Sequence, residues 1–421
     1  MSRFVRIIFL LFLGALSVSC VNQPGTCGAA VVKQSDGCSF GTNPSQIVIG
    51  SMLAPAQGAS QAQLSYQASA ELAVKELNAQ LAQANPKVSI TLVEGDLGAN
   101  PDQALSNLKV LYNQGVRVFV GPSESANVIA LLAFANINGM IMMSNASSAI
   151  TLAIPNDNLY RLVPGDSHQT ERLAAKIYQD GFRNIIIFAR QDLYGDDFRK
   201  SLKTNFLGLD PANQELEEFL YDAKATDFSV QAAEWDDAIT ALPPYDPAKT
   251  ALVFISFEEV VPMVHAMIAQ DPALFGGFKI YGTDGFAQTV DVTNDATVAG
   301  FLLASNLVAT SPAVALVDQP NLDAFYTRLA TVFSGPPSVY AAVAYDCVTL
   351  LTKTAQDLNS NGQSSISAWK TDLPIVAAAT NGITGNLALS PNGDRASLPY
   401  GLWGLQQSGA TFSWQLLGLI P

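Results

Sequence analysis

Charged side chains are scarce in this chain, and histidine and cysteine are scarcer still. Of its 421 residues, only 14% are charged, two are His and four are Cys. With so few ligands and no CxxC, HExxH or P-loop pattern, the sequence gives no support for a metal or redox centre. Its formal net charge of −14 argues against nucleic-acid binding, which needs clustered Lys and Arg. We therefore expect no metal, no cofactor and no nucleic-acid partner.

Long apolar runs are missing beyond the N-terminus. There, Arg3 and Arg6 precede an apolar stretch over Ile7–Val18 that is too short to span a bilayer comfortably. The stretch ends in LSVSC, which resembles a bacterial lipobox with Cys20 as the lipidated residue, although Ser17 stands where a Leu is usual. We expect a signal peptide over 1–19 and a lipid-anchored tether over 20–45. The alternative is an ordinary secretory peptide with an incidental cysteine.

The remaining cysteines fit export from the cytoplasm. Cys27 and Cys38 lie in a Gly- and Ser-rich stretch, where they can close a small disulfide loop in an oxidising compartment. Cys347 lies inside an apolar helical pattern, which indicates a buried thiol that behaves as a small hydrophobic side chain. Hydrophobic residues make up 49% of the chain, enough for a sizeable core and two ordinary domains.

Strand and helix patterns alternate along the rest of the chain. Apolar runs such as IVIGSML, NIIIFA and TALVFIS indicate buried strands, and amphipathic stretches such as YQASAELAVKELNAQLAQ indicate helices. The run GFLLAS, residues 300–305, is interpreted as another strand. This alternation predicts an α/β fold with parallel sheets. Because the strands exceed one comfortable sheet, we expect two lobes.

The stretch GVRVFVGPSESANV, residues 115–128, marks a change from strand to helix. An apolar strand pattern ends at Gly121-Pro122, and a helical pattern follows from Ala126. Ser123 or Ser125 can cap that helix, whose first amide groups lack internal partners and attract anions. On these residues alone, simple capping is the favoured interpretation and anion binding the alternative.

Polar segments follow several of the other predicted strands. They are SNASS (144–148), DLYGDD (192–197), SFEE (256–259) and GTDG (282–285). Ligands of open parallel sheets bind beyond the carboxyl ends of the strands, where these segments are expected to lie. Their hydroxyl, aromatic and acidic side chains are the groups needed to hold a small zwitterion.

In this order and spacing, the segments resemble the type I periplasmic solute-binding proteins of the branched-chain amino acid class. The matching stretches include VEGDLGANPDQAL, VGPSESA, SNASSAIT, DLYGDDF, GTDG and PSVYAAVAYDCVTLL. The resemblance implies two Rossmann-like lobes with parallel sheets, joined by three crossovers, with a ligand cleft between them. It places 46–164 and 306–388 in lobe 1, and 165–305 and 389–421 in lobe 2.

The resemblance also implies six ligand-binding positions. Ser125 matches a serine that binds the ligand carboxylate, and Ala146 matches a carbonyl that accepts from the ligand ammonium. Ser148 stands where relatives have Thr, and Phe257 where Tyr is common. Tyr194 matches an aromatic of the second lobe, and Asp284 stands where the leucine binder has the Glu that pairs with the ammonium. The alternative roles are packing for Tyr194 and Phe257 and turn capping for Asp284. The first loop lacks the aromatic that relatives often place there. Ser123 and Glu124 are interpreted as cap and solvated helix start.

These matches imply the lipid-anchored receptor of an ABC importer. It would capture an amino acid or related small carboxylate, deliver it to an ABC permease, and be a monomer held to the membrane by Cys20. One alternative is a ligand-sensing or cell-wall-synthesis regulatory lipoprotein of the same fold. An α/β enzyme is disfavoured because neither His168 nor His265 lies in a nucleophile-elbow pattern.

Overall fold

The computed structural model describes residues 46–83 and 88–420. Cys20, Cys27 and Cys38, with the predicted signal peptide and tether, lie outside the described residues. Within those ranges, no helix is both long and apolar enough to cross a bilayer. No group of His, Cys, Asp and Glu side chains there is arranged to hold a metal ion.

The first sheet is wholly parallel and has five strands in the order β2-β1-β3-β4-β5. The strands are β1 (Gln46–Ser51), β2 (Ser89–Glu94), β3 (Val118–Val120), β4 (Ile141–Ser144) and β5 (Leu159–Arg161). β3, β4 and β5 are buried at every residue, as expected for parallel strands covered by helices on both faces.

The second sheet has seven strands, in the order β14-β13-β10-β9-β8-β6-β7. A small hairpin of β11 (Asn381–Gly382) and β12 (Gly385–Asn386) precedes its last two strands. The sheet is parallel except at β13 and β14, which pair antiparallel. Its strands are β6 (Asn184–Gln191), β7 (Gln214–Asp222), β8 (Thr250–Ile255), β9 (Lys279–Gly282), β10 (Val308–Pro312), β13 (Tyr400–Ser408) and β14 (Thr411–Ile420).

Helices cover both sheets, so the chain forms the two α/β lobes that the alternating pattern predicts. Those of the first lobe are α1 (Gln61–Leu81), α2 (Pro101–Asn113), α3 (Ser125–Ile137), α11 (Gln319–Leu329), α12 (Val339–Ser360) and α13 (Ile366–Ala378). Those of the second are α4 (Asp166–Gln179), α5 (Leu193–Leu209), α6 (Ser229–Ala241), α7 (Val260–Gln270), α8 (Pro272–Gly276), α9 (Val290–Asn294) and α10 (Ala296–Ala304). Cys347 is a buried free thiol in α12, as predicted.

The interpretation of residues 300–305 as a strand is wrong. Residues 300–304 belong to α10, and Ser305 is its C-cap. The Asp295 side chain caps the first turn of this helix by accepting from the amides of Thr297 and Val298. Short apolar runs do not distinguish a buried strand from a buried helix by periodicity. The deciding signal is the Asp-Ala-Thr start, because Asp is a favoured N-cap residue.

The chain crosses between the lobes three times, as the resemblance implies. It leaves the first sheet after β5, returns after β10 to form α11–α13, and crosses again before β13. Two boundaries differ from the predicted ones. β10 pairs with β9 and β13, so it lies in the second lobe. Residues 389–395 stay with the first lobe, since the Arg161 amide donates to the Gly393 carbonyl at 2.9 Å.

Candidate functional site

A cavity of about 680 Å³ lies between the two lobes. It is found beyond the carboxyl ends of strands from both sheets, where ligands of open parallel sheets bind. The structure brings all six predicted positions to its wall: Ser125, Ala146, Ser148, Tyr194, Phe257 and Asp284.

The first lobe presents the N-terminus of α3 to this cavity. The turn before it depends on Gly121, which has a φ of +89°. A Cβ there would lie 2.5 Å from the carbonyl oxygen of Met52 on the neighbouring segment. This close approach sets Ser125 at the first position of a 13-residue helix. The first amides of that helix lack helical acceptors and carry partial positive charge.

The Ser125 hydroxyl is nearly buried and keeps its proton available. It accepts a hydrogen bond from the Ala149 amide at 3.3 Å, which leaves its O–H free to donate. Ala146 and Ser148 follow β4 on the same side of the cavity. The resulting group of hydroxyl and amide donors is suited to a carboxylate.

The predicted roles of Ser123 and Glu124 are wrong. Ser123 donates to Oδ1 of Asn145 at 2.8 Å instead of capping α3. Glu124 occupies the N-cap position without a side-chain capping bond. Its side chain lines the cavity and accepts from Nε2 of Gln63 at 3.2 Å, so it is not a solvated helix start. Burial raises the pKa of Glu124, and the positive charge of Arg190 opposes this shift.

The second lobe contributes an aromatic wall. Tyr194 begins α5 after β6, and its ring centroid lies 5.2 Å from that of Phe257. The Arg190 guanidinium stacks 3.5 Å above the Phe257 ring. Arg190 is held by two carboxylates, with Nε 2.7 Å from Asp192 and Nη1 3.0 Å from Glu259. Arg190 is therefore ion-paired within its own lobe.

Asp284 follows β9 and is only 8% exposed. The Tyr194 hydroxyl lies 2.9 Å from Oδ1, and the Tyr340 hydroxyl donates to Oδ2 at 2.5 Å. Burial raises the pKa of Asp284, and the hydrogen bonds from Tyr340 and Tyr194 oppose the shift. Each oxygen retains a second lone pair, so the carboxylate can still accept from a ligand ammonium.

Sequence reasoning missed several residues of the wall. Tyr66 of α1, Tyr340 of α12 and Glu258 after β8 all line the cavity. Tyr66 supplies an aromatic ring although the first loop has none, and its ring stacks edge-on against Tyr340 with centroids 6.5 Å apart. Tyr340 stands in PSVYAAVAYDC, where its place in the first turn of a helix after Ser338 is the available signal. Burial raises the pKa of Glu258 to about 6.

Hydrogen bonds join the lobes across the cavity. Tyr340 of the first lobe reaches Asp284 of the second. Elsewhere between the lobes, the amide and the hydroxyl of Thr151 each donate to Oδ2 of Asp197 in α5, both at 2.8 Å. The structure is therefore a closed arrangement of the two lobes.

We expect Asp197→Ala to weaken this closure. The variant loses two exposed hydrogen bonds, so closure free energy and ligand affinity should each fall by about 0.5–1.5 kcal/mol. Small-angle scattering of the unliganded protein should show a larger radius of gyration for the variant. Asp196→Ala is the matched control, because Asp196 pairs with Arg199 within its own helix. An equal increase in both variants would contradict a closing role for the contact.

A known family shares this combination of two lobes, three crossovers and a cleft at the strand ends. The periplasmic binding protein family matches residues 46–407. The chain belongs to this family. An uncharacterized protein of Methanocaldococcus jannaschii is 24% identical to this periplasmic binding protein over 372 residues, 83% of each chain.

Solved structures share the fold. The leucine binding protein LivK of Thermotoga maritima matches with a TM-score of 0.69 at 14% identity, covering 89% of this chain and 98% of that one. LivJ of Streptococcus pneumoniae in complex with isoleucine gives 0.68 at 18% identity, covering 89% and 98%. A solute binding protein of R. palustris in complex with benzoate gives 0.70 at 15% identity, covering 88% and 95%.

Proposed function

We propose that this periplasmic binding protein is the extracytoplasmic receptor of an ABC importer and that it captures an amino acid or related small carboxylate. The main support for the proposal is that hydrogen-bond donors on one lobe and a buried carboxylate on the other line the same cavity. Ser125 and the N-terminus of α3 offer donors for a carboxylate on the first lobe, and Asp284 offers a buried carboxylate for an ammonium on the second. A zwitterion held by both contacts favours the closed form, since it gains the second contact only on closure.

The solved relatives support the ligand class. Two of them are in complex with isoleucine and with benzoate, and both of these ligands carry a carboxylate. The permease partner, the lipid anchor at Cys20 and the monomeric state are part of the same proposal. The proposal also holds that Ala146 accepts from the ammonium, and that Ser148, Tyr194 and Phe257 enclose the ligand.

Ser125→Ala should weaken amino-acid binding by about 1–3 kcal/mol, because one hydrogen bond to a charged group is lost while the helix amides remain. Isothermal calorimetry with the amino acid that binds best measures the change. Ser106→Ala on the exposed face of α2 is the control, since its hydroxyl donates only to the Asp102 carbonyl. Undiminished affinity in Ser125→Ala would mean that the carboxylate does not sit at α3.

A further inference from the structure

The cavity walls carry a strong excess of negative charge. Seven carboxylate side chains line the cavity, against two cationic ones, Arg190 and Lys224. Arg190 is neutralised by Asp192 and Glu259, and Lys224 is exposed on the loop after β7. Since Asp192 and Glu259 already pair with Arg190, a single ammonium at Asp284 would still leave Glu124 and Glu258, among the described residues, without an ion-pair partner as the lobes close.

Two of these carboxylates face the same space from opposite lobes. Glu124 stands at the start of α3 and Glu258 directly after β8. Both act on the hydroxyl of Tyr66, as does Asp284: burial is the main reason that the pKa of Tyr66 is raised, and all three carboxylates raise it further. Glu124 accepts only from neutral amides, those of Gln63 and Asn127. Within the described residues, no cationic side chain pairs with either Glu124 or Glu258.

A further carboxyl group lies behind the cavity wall and points to the same charge preference. Asp166 is fully buried at the first crossover, and its amide donates to the Ser148 carbonyl at 2.8 Å. Neither carboxyl oxygen meets a donor in good hydrogen-bond geometry within the described residues. Burial raises the pKa of Asp166 well above its usual range and nearby Asp284 raises it further, while the Ser148 hydroxyl opposes the shift. A cation in the cavity would favour the ionised form of this carboxyl group.

On the basis of the proposed function, we propose that the ligand is a diamino carboxylic acid. Its α-carboxylate meets Ser125 and α3, its α-ammonium meets Asp284, and its second cationic group lies between Glu124 and Glu258. A cation bridging these two glutamates binds fully only when the lobes are closed. The second charge therefore contributes both to affinity and to closure.

The matched ligand pair is L-lysine and L-norleucine, which differ by the terminal ammonium. Calorimetry on the full chain should show lysine binding at least about tenfold more tightly, the gain expected from one desolvated charge pair. Glu124→Gln and Glu258→Gln should each remove most of the difference in affinity between lysine and norleucine. Glu171→Gln, exposed on α4, is the control and should keep it. Melting curves of each unliganded variant establish that it is folded.

Proton release provides an independent measurement. The pKa of Glu258 is about 6, raised by burial first and then by Glu259, Asp291 and Glu124. Pairing with an ammonium lowers it, so lysine binding at pH 6 should release protons, visible as a buffer-dependent binding enthalpy. Lysine affinity should fall as pH drops through 6, because protonated Glu258 cannot pair. Norleucine should release fewer protons.

The outcomes separate this inference from the receptor function itself. Norleucine, leucine or benzoate binding as tightly as lysine would overturn the diamino acid and leave the receptor in place. A lysine preference that survives both Gln variants would overturn the assignment of Glu124 and Glu258. If no amino acid or small carboxylate bound, the inference and the proposed ligand class would both fail.

Discussion

Asp284→Asn is expected to weaken binding of an amino acid by about 2–5 kcal/mol, the usual cost of truncating one partner of a buried charge pair. Asp284 is 8% exposed, so an ammonium that meets it is largely removed from water. The neutral amide cannot compensate that charge, and its NH₂ group would also oppose the hydroxyl of Tyr194 or Tyr340. This effect should exceed that of Ser125→Ala, because in that variant the ligand carboxylate still binds the amides at the start of α3.

Calorimetry on the variant and on Asp237→Asn tests the role of Asp284. Asp237 is an exposed aspartate on α6, away from the cavity, so its substitution should leave affinity unchanged. Undiminished affinity in Asp284→Asn would mean that the ligand carries no ammonium at this position. Asp284 would then serve only to join the lobes through Tyr340.

Arg161→Met is expected to lower the free energy of unfolding by about 3–5 kcal/mol, since it leaves a buried carboxylate without its partner. Arg161 ends β5 and is fully buried, with Nε 2.6 Å from Oδ1 of Asp394 and Nη2 2.8 Å from Oδ2. This bidentate pair ties the first crossover to the third, next to the segment that carries Asp166. Adding Asp394→Leu to the variant should recover much of the loss, because an apolar pair can replace a buried ion pair.

Urea denaturation measures both variants and the parent protein. Arg172→Met is the control on the partly exposed side of α4. A loss below about 1 kcal/mol in Arg161→Met would indicate that the pair behaves like an exposed one. A double variant less stable than the single one would contradict the argument that the unpaired carboxylate is the source of the loss.

The fold class can be predicted from local sequence patterns, and the errors in the prediction have physical causes. Buried parallel strands such as β6 and β8 have apolar centres, IIIFA and ALVFI, that are easily recognised. Residues 300–304 are also mostly apolar but belong to a helix whose start is capped by Asp295, and such a short apolar run does not by itself distinguish strand from helix. The expectation that β10 belongs to the first lobe is wrong, because strand pairing between distant segments leaves no local signal.

The candidate site was predictable where it depends on loops after strands. Ser125, Tyr194 and Asp284 each lie in the first few residues after a strand, and parallel strand ends share one edge of a sheet. Tyr340 reaches Asp284 from a helix 56 positions further along the chain, which no local pattern reveals. The sequence around Glu124 is typical of an exposed helix start. Glu124 lines the cavity only because the second lobe lies opposite it.

The most direct test of the central claim is a thermal melting screen of the purified protein against the proteinogenic amino acids and small carboxylic acids. A ligand that binds only the folded state stabilises it by about 2.7 kcal/mol at a hundred times its dissociation constant. We predict a raised melting midpoint with at least one amino acid, and a smaller or absent shift in Asp284→Asn. An unchanged midpoint with every compound at millimolar concentration would contradict a receptor for this class of ligand.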